Sequence, residues 1–264
     1  MQVKWKLALF PLIGLIASGC VTFLEKLQQP GIETVEARVT GINFDGIRLA
    51  VDIDVYNPYS AVIQAMPVNA HIEVNEQKVF STESVPPLPV KAKQSGRITF
   101  PAYITYADLA RLDRATVNLS EVAYRVYGYV ETRVAGVPTR IPFSHRATFP
   151  VLRPPALSTL KVKLADVSLS KAKIIADAEI DNPNIFDLGI GDLSYILNLG
   201  TAEVAGLKAE SEGKLQAGKK GTVTLTGEIS AGSGLINLLM KGVDIHPEIS
   251  ASGFLQTPYG EVKL

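Results

Sequence analysis

The chain has 264 residues, of which 47% are hydrophobic and 20% charged, the composition of a globular protein with room for one large or two ordinary domains. Lysine plus arginine and aspartate plus glutamate both number 26, so no excess of positive charge points to nucleic acid as a partner. Cys20 is the only cysteine, which excludes an intrachain disulfide.

Residues 1–19 are predicted to be a signal peptide. A short basic segment precedes an apolar run over 7–16, which is too short to span a bilayer. The small residues Ala17-Ser18-Gly19 then lead directly to Cys20, an ending that resembles a bacterial lipobox. We therefore expect Cys20 to be lipidated and to hold the mature protein on the membrane. The alternative is an ordinary secretory peptide with an incidental cysteine.

Residues 20–31 are interpreted as a lipidated tether, ended by Pro30-Gly31. Val21, rather than an aspartate, follows the cysteine, which resembles lipoproteins sorted to the outer membrane. The expected location is thus the cell envelope, on the periplasmic face of the outer membrane where the cell has one.

Beyond the tether, apolar residues alternate with polar ones, which predicts strands with one buried face. The clearest runs lie over 47–55, 68–74 and 122–126, and Pro and Gly punctuate them at short intervals. One segment differs, because Thr105 followed by Asp108 and a helical apolar spacing predicts a short helix over 105–112. Residues 151–155, which contain two prolines, are the predicted linker between domains.

The sequence contains an internal repeat. Asn57-Pro58 ends one long alternating strand and Asn182-Pro183 ends another, 125 residues later (57 to 182). The pairs Gly96 and Gly221, and Gly128 and Gly253, keep the same spacing, and a second helix is predicted over 233–241. We therefore expect two homologous domains, at 32–150 and 156–264.

The Asn-Pro pairs have a structural explanation. Proline has no backbone N–H and a fixed φ, so strand pairing stops there, and the asparagine side chain can bond the local backbone. We interpret Asn57, Pro58, Asn182 and Pro183 as turn residues rather than as a binding site.

In the first copy, an alternating strand ends in Asn-Pro and is followed by an apolar loop and the strand Ala70-His-Ile-Glu-Val-Asn75. This pattern resembles the late embryogenesis abundant type 2 family, which is also described as the water stress and hypersensitive response domain. The second copy, with Asn182-Pro-Asn184 and Leu193-Ser-Tyr-Ile-Leu-Asn198, is closer to the family pattern, because the first copy has Tyr59 in place of the second asparagine. The resemblance implies tandem antiparallel β-sandwiches similar to fibronectin type III or immunoglobulin domains, each with one short helix. It also implies a role in water stress and no catalytic residues.

Carboxylates on two strands are weak candidates for a metal site. Asp52 and Asp54 share one strand face, and the repeat places Asp177, Glu179 and Asp181 on the corresponding face. Carboxylates at this spacing are compatible with Ca²⁺. We prefer the interpretation of a solvated face paired with lysines such as Lys171 and Lys173, and therefore predict no metal and no cofactor.

Apolar residues also occupy the loops after the two Asn-Pro pairs. They are Val62, Ile63 and Met66 in the first copy, and Ile185 and Phe186 in the second. Such loops either close the end of a sandwich core, which is the default interpretation, or form the mouth of a lipid-binding site.

The sequence lacks a recognisable catalytic constellation. His71, His145 and His246 show no metal-ligand spacing, and neither a nucleophile elbow nor a P-loop occurs. The leading hypothesis is a non-enzymatic, membrane-anchored lipoprotein that protects the envelope during desiccation. Two alternatives remain, namely a module that binds lipids or other hydrophobic ligands, and an adaptor that binds envelope proteins through sheet edges.

Overall fold

The computed structural model describes residues 29–82, 85–134, 137–168, 170–199, 202–210, 213–230 and 247–264. The predicted signal peptide, Cys20, the second predicted helix and His246 lie outside these residues. The fold is all-β and sandwich-like, as predicted, with antiparallel pairing throughout the described strands.

The first repeat, residues 32–150, forms two sheets that face each other. One has the order β1-β2-β6, and the other has the order β4-β3-β7-β8 with β5 paired to β3. The strands are β1 (Gly31–Ile42), β2 (Gly46–Tyr56), β3 (Ile63–Val74), β4 (Gln77–Ser81), β5 (Leu88–Val90), β6 (Ser95–Thr105), β7 (Glu121–Val134) and β8 (Val137–Pro150). Alternate residues of these strands face a core that is closed by Phe100 and Phe149, both fully buried.

The helix predicted between the strands is present as α1 (Tyr106–Leu112). Thr105 is its N-cap, and the Thr105 hydroxyl accepts a hydrogen bond from the backbone N–H of Asp108 at 3.0 Å. Leu109 anchors the helix in the first core, where its side chain is fully buried.

The second repeat, residues 156–264, uses the same strand plan. Its strands join one sheet with the order β14-β11-β16-β12-β13-β15-β10-β9, and β17 pairs with β16. They are β9 (Ala156–Ala165), β10 (Lys171–Asp181), β11 (Leu188–Gly189), β12 (Leu193–Leu199), β13 (Ala202–Ala209), β14 (Lys214–Leu215), β15 (Lys220–Ser230), β16 (Pro247–Thr257) and β17 (Gly260–Lys263). Strands β10 and β15 begin and end 125 residues after β2 and β6, so the sequence spacing is carried into three dimensions.

The two repeats share side chains at their junction. Ile42, at the end of β1, and Phe44, in the turn before β2, pack into the core of the second repeat together with Leu152 of the linker. The backbone N–H of Leu152 also donates a 3.0 Å hydrogen bond to the Tyr106 hydroxyl. The hydrophobic core of the second repeat is therefore completed by residues that precede it in the chain.

Candidate functional site

Each Asn-Pro pair is built around a buried asparagine amide. The Asn57 Nδ2 group donates to the carbonyls of Ala61, Val90 and Lys91 at 2.8–3.0 Å, and its Oδ1 accepts from the Tyr59 N–H at 3.0 Å. The side chain is fully buried, so these bonds satisfy both ends of the amide where water does not reach. The pair thus connects the end of β2 to β5.

Asn182 repeats this network. Its Nδ2 group donates to the carbonyls of Phe186, Leu215 and Gln216 at 3.0–3.2 Å, each 125 residues after a partner of the first amide. The Oδ1 atom accepts from the backbone N–H of Asn184 at 3.0 Å. Both Asn-Pro pairs are therefore placed in the interior of the loops, as turn geometry requires, and not at an open surface.

The second asparagine of Asn182-Pro-Asn184 holds the linker. The Asn184 side chain accepts from the Arg153 N–H at 2.8 Å and donates to the Arg153 carbonyl at 2.9 Å. The Arg153 guanidinium reaches the Pro183 carbonyl, and also the Ser120 hydroxyl of the first repeat at 3.4 Å. We call these contacts the linker clamp. In the first repeat, Tyr59 occupies the corresponding position and Lys93 reaches the Pro58 carbonyl.

The apolar loops mainly close the two cores. Ile63 and Phe186 are buried, and Met66 is partly buried, whereas Val62 and Ile185 are exposed. The described loops therefore offer single exposed side chains rather than a continuous apolar mouth.

The acidic residues are paired across strands. Asp52, only 4% exposed, accepts from the Arg38 Nε at 3.0 Å and from the Thr99 hydroxyl at 2.5 Å. Burial tends to raise the pKa of Asp52, but these hydrogen bonds outweigh it and hold the pKa below its ordinary value. Asp54 is bound by both nitrogens of the Arg97 fork at 2.7–2.8 Å, which lowers its pKa to about 2.

The second acidic strand has a similar arrangement with different partners from those we predicted. Asp177 accepts from the Thr224 hydroxyl at 2.8 Å and lies 3.7 Å from the Lys163 ammonium, and Glu179 pairs with Lys220 at 3.0 Å. Lys171 instead pairs with Glu228, so the prediction that Lys171 pairs with the carboxylates of β10 was wrong. The lysines that contact these carboxylates lie on the neighbouring strands β9 and β15, each diagonally across from its partner, because Lys163 is opposite Ile175 and Lys220 is opposite Asp181.

The remaining candidates do not converge. His71 lies on β3 and His145 on β8, and no described group of three or more His, Cys, Asp or Glu residues is arranged to hold a metal. Within the same residues, no helix is long and apolar enough to cross a membrane.

The second repeat contains an apolar cavity that sequence reasoning missed. Its volume is about 240 Å³, and it lies between strands β10 and β15 on one side and β12 and β16 on the other. Nearly all of its lining is aliphatic or aromatic: Pro154, Pro155, Leu157, Ala178, Ile180, Ile190, Leu193, Tyr195, Leu215, Val223, Leu225, Ile249, Ser250, Ala251 and Leu264. We call this space the second-repeat cavity.

Smaller side chains at repeated positions explain the cavity. Ala178 stands where the first repeat has Ile53, with the same strand pairing. Ala251 follows Val126 by the same 125 residues, on a strand whose pairing is shifted by two residues. Leu225 likewise replaces Phe100. All three first-repeat side chains are fully buried in the first core. The same strand plan therefore encloses space in the second repeat that bulkier side chains occupy in the first.

Two replacements act in the opposite direction. Ile190 and Tyr195 are larger than Ala65 and Ala70 at the corresponding positions. The Tyr195 hydroxyl donates to the Ile190 carbonyl at 3.1 Å, which satisfies its polar end, and burial raises the pKa of Tyr195. Large side chains are thus placed at different positions in the two cores, and the empty space of the second core lies beside Ala178 and Ala251.

The cavity opens next to the linker. Leu157 and Leu264 are 46% and 38% exposed, and both contribute to its lining together with Pro154 and Pro155. Ala251 on β16 is also exposed, whereas Val126, 125 residues earlier, is fully buried; Ala251 pairs with Tyr195, but Val126 pairs with Ile72, so the two strands differ in register. An apolar entrance of this kind is typical of a site for a hydrophobic ligand.

Comparison with known proteins identifies the first repeat. Residues 52–147 match the model of a family described as late embryogenesis abundant protein, which confirms the family expected from the sequence. No curated protein matches the chain.

Two solved structures show distant likeness. A protein from Archaeoglobus fulgidus is 17% identical with a TM-score of 0.38, and the match covers 46% of this chain and 97% of that one. A bacterial adhesin from Mobiluncus mulieris, which contains intramolecular disulfide, isopeptide and ester bond cross-links, is 10% identical with a TM-score of 0.31. That match covers 80% of this chain and 83% of the adhesin chain. At these scores the likeness carries no functional information.

Proposed function

We propose that this chain, which carries a domain of the late embryogenesis abundant protein family at residues 52–147, is a non-enzymatic envelope lipoprotein that binds a slender hydrophobic ligand in its second repeat. The ligand class is an unbranched apolar chain, such as one acyl chain of a lipid. The second-repeat cavity is the observation that carries the proposal.

The size and lining of the cavity select this class of ligand. Its volume of about 240 Å³ is just below the range of about 300–1,000 Å³ that holds drug-sized molecules, which favours a narrow chain over a ring system. Ser250 is the only lining residue with a short hydroxyl side chain, and no lining side chain is charged. A lipid anchor at Cys20, as the sequence predicts, would hold the entrance near a source of acyl chains.

The test uses the full-length chain in detergent and a photoactivatable fatty acid. Cross-linked peptides are mapped by mass spectrometry, with unlabelled fatty acid as competitor. We expect competable labelling of strands that line the cavity, β10, β15 and β16, because only a bound probe is held against them. The corresponding strands of the first repeat serve as an internal control for non-specific partition.

A filled variant makes the test specific. Ala178→Ile with Ala251→Val installs the first-repeat residues, and we expect it to reduce competable labelling by about tenfold or more, since each excluded methylene loses about 0.8 kcal/mol. The matched control is Ala176→Val, which also installs a first-repeat residue, but on a core position outside the cavity lining. Labelling that is equal in both repeats, or unchanged in the filled variant, would refute the proposal.

A second function, protection of the envelope during water loss, is supported by the family match at 52–147 alone. Deletion of the gene should lower survival after drying and rewetting, and the wild-type gene should restore it. Equal recovery of deleted and wild-type cells would argue against this role. If the filled variant also restored survival, protection would not depend on the ligand.

A further inference from the structure

The outer face of the first repeat's second sheet carries aligned polar and aromatic residues. The pairing of β4, β3, β7 and β8 places Ser81, His71, Tyr127 and Ser144 in one row across the sheet. On one side of this row, Lys78 and Arg125 flank Glu73, and on the other side Tyr129 pairs with Pro142. Residues of four strands therefore meet on one surface.

This surface is concave. A bulge interrupts the pairing of β3 with β7 after Val68, where Asn69 adopts a left-handed backbone with φ 51°. Gly128 makes room for the bulge, since a Cβ atom there would lie 2.8 Å from both the Ala70 Cα and the Asn69 carbonyl oxygen. The result is a groove of about 480 Å³ over Tyr127, Tyr129 and Ser144, within the size range of ligand sites. We call it the tyrosine groove.

The groove combines an aromatic platform with positive charge. The Arg125 guanidinium lies 4.8 Å from the centre of the Tyr127 ring and also 3.2 Å from the Glu73 carboxylate. Lys78 lines the groove as a second cation, and Glu73, which lies between the two cations, is paired with Arg125. Tyr129 is 43% exposed, so its ring is available to a ligand.

The fold does not require these residues. At the positions 125 residues later, the second repeat has Ile196 for His71, Glu203 for Lys78, Ser250 for Arg125 and Ser252 for Tyr127. The same strands form there, but Ser250 and Ser252 pair with Ile196 and Ser194 on β12, two residues away from the register of Arg125 and Tyr127 on β3. The two cations and Tyr127 are thus specific to the first repeat, whereas an exposed aromatic residue is retained at Tyr129 as Phe254.

We propose that the tyrosine groove binds a saccharide that carries an anionic group. The face of a sugar ring that presents C–H groups would stack on the exposed ring of Tyr129, beside Tyr127, which holds Arg125, and Ser144 and Asn69 would bond its hydroxyls. The anionic group would lie beside Lys78, on the side away from Glu73, because the Arg125 guanidinium is already paired with the Glu73 carboxylate. This site is separate from the second-repeat cavity and does not depend on it.

The test is calorimetric titration of the full-length chain in detergent with three probes: trigalacturonic acid, maltotriose and glycerol 3-phosphate. We expect the acidic sugar to bind and the neutral sugar to bind at least about tenfold more weakly, because it loses the charged contacts. Glycerol 3-phosphate, which has an anionic group but no ring, should also bind at least about tenfold more weakly. Binding of glycerol 3-phosphate as tight as that of the acidic sugar would overturn the saccharide assignment in favour of a simple anion or lipid headgroup.

Two variants copy the second repeat and so keep residues that this fold accepts. Lys78→Glu and Tyr127→Ser should each weaken the acidic sugar by about tenfold or more. Their controls lie outside the groove: Lys91→Glu makes the same charge change, and Tyr103→Ser removes another tyrosine that has an arginine, Arg48, over its ring. No binding of the acidic sugar, or equal losses in variants and controls, would overturn the proposal.

Discussion

Filling the second-repeat cavity should stabilise the protein, and the repeat supplies a matched pair of substitutions to test this. Ala178→Ile adds three carbon atoms at a position that lines the cavity and is 1% exposed. At about 0.8 kcal/mol for each buried carbon, the gain is at most about 2.4 kcal/mol. Restricted rotamers and imperfect fit reduce this to about 1–2 kcal/mol.

Ala176→Val is the comparison, because it changes the neighbouring inward-facing alanine of the same strand to its first-repeat counterpart, Val51. Ala176 is fully buried and does not line the cavity, so the added methyl groups must displace packed neighbours. We expect a loss of about 1–3 kcal/mol in the free energy of unfolding. The two substitutions should therefore have opposite signs.

Thermal and urea unfolding of the full-length chain in detergent, followed by circular dichroism, measures both effects. Ala178→Ile should raise the melting temperature by about 2–6 °C, and Ala176→Val should lower it. If Ala178→Ile destabilises the protein as much as Ala176→Val, the space beside Ala178 is not vacant and the argument from the smaller side chains fails.

Three further predictions concern the buried amide, an ion pair and the linker clamp. Asn182→Ala leaves two buried carbonyls and one part-buried carbonyl without their side-chain donor, and should lower the free energy of unfolding by about 2–4 kcal/mol in urea titration. A loss below about 0.5 kcal/mol would contradict the network. Asp54→Asn should remove about 1 kcal/mol of stability at pH 7, allowing for the exposure of Arg97. Because the pKa of Asp54 falls from 3.8 to about 2 on folding, the difference from wild type should vanish as the pH drops from about 4 to 2, and a pH-independent difference would contradict this cause. Asn184→Ala should increase protease cleavage near Arg153, since it removes both backbone contacts of the clamp, and unchanged cleavage would contradict this role.

Much of the fold follows from local pattern. Alternation of apolar and polar residues predicted β2, whose inward residues from Ile47 to Val55 are all buried, and the capping sequence at Thr105 predicted α1. The constant spacing of Asn57 and Asn182 predicted the repeated turns, and the structure adds that each amide reaches across to a later loop. These features are set by residues near one another in sequence, or by strict repetition.

The candidate sites depend on long-range packing and were not predicted. The cavity arises because the second repeat has smaller side chains than the first on strands that are far apart in sequence. No sequence motif marks Ala178 or Ala251. The tyrosine groove depends on the bulge at Asn69 and on the register of four strands. Residues that the fold needs are shared by the two copies, whereas residues that differ between them are free to serve function.

The shared core has a consequence for how the molecule comes apart. Ile42 and Phe44 belong to the first repeat in sequence but are buried in the second, and the linker is hydrogen-bonded on both sides. Unfolding of either repeat would expose apolar surface of the other to water. The two halves should therefore unfold in one cooperative thermal transition. A chain cut at the linker would yield a second half with an uncovered apolar patch, and we therefore expect the two repeats to fold as one unit.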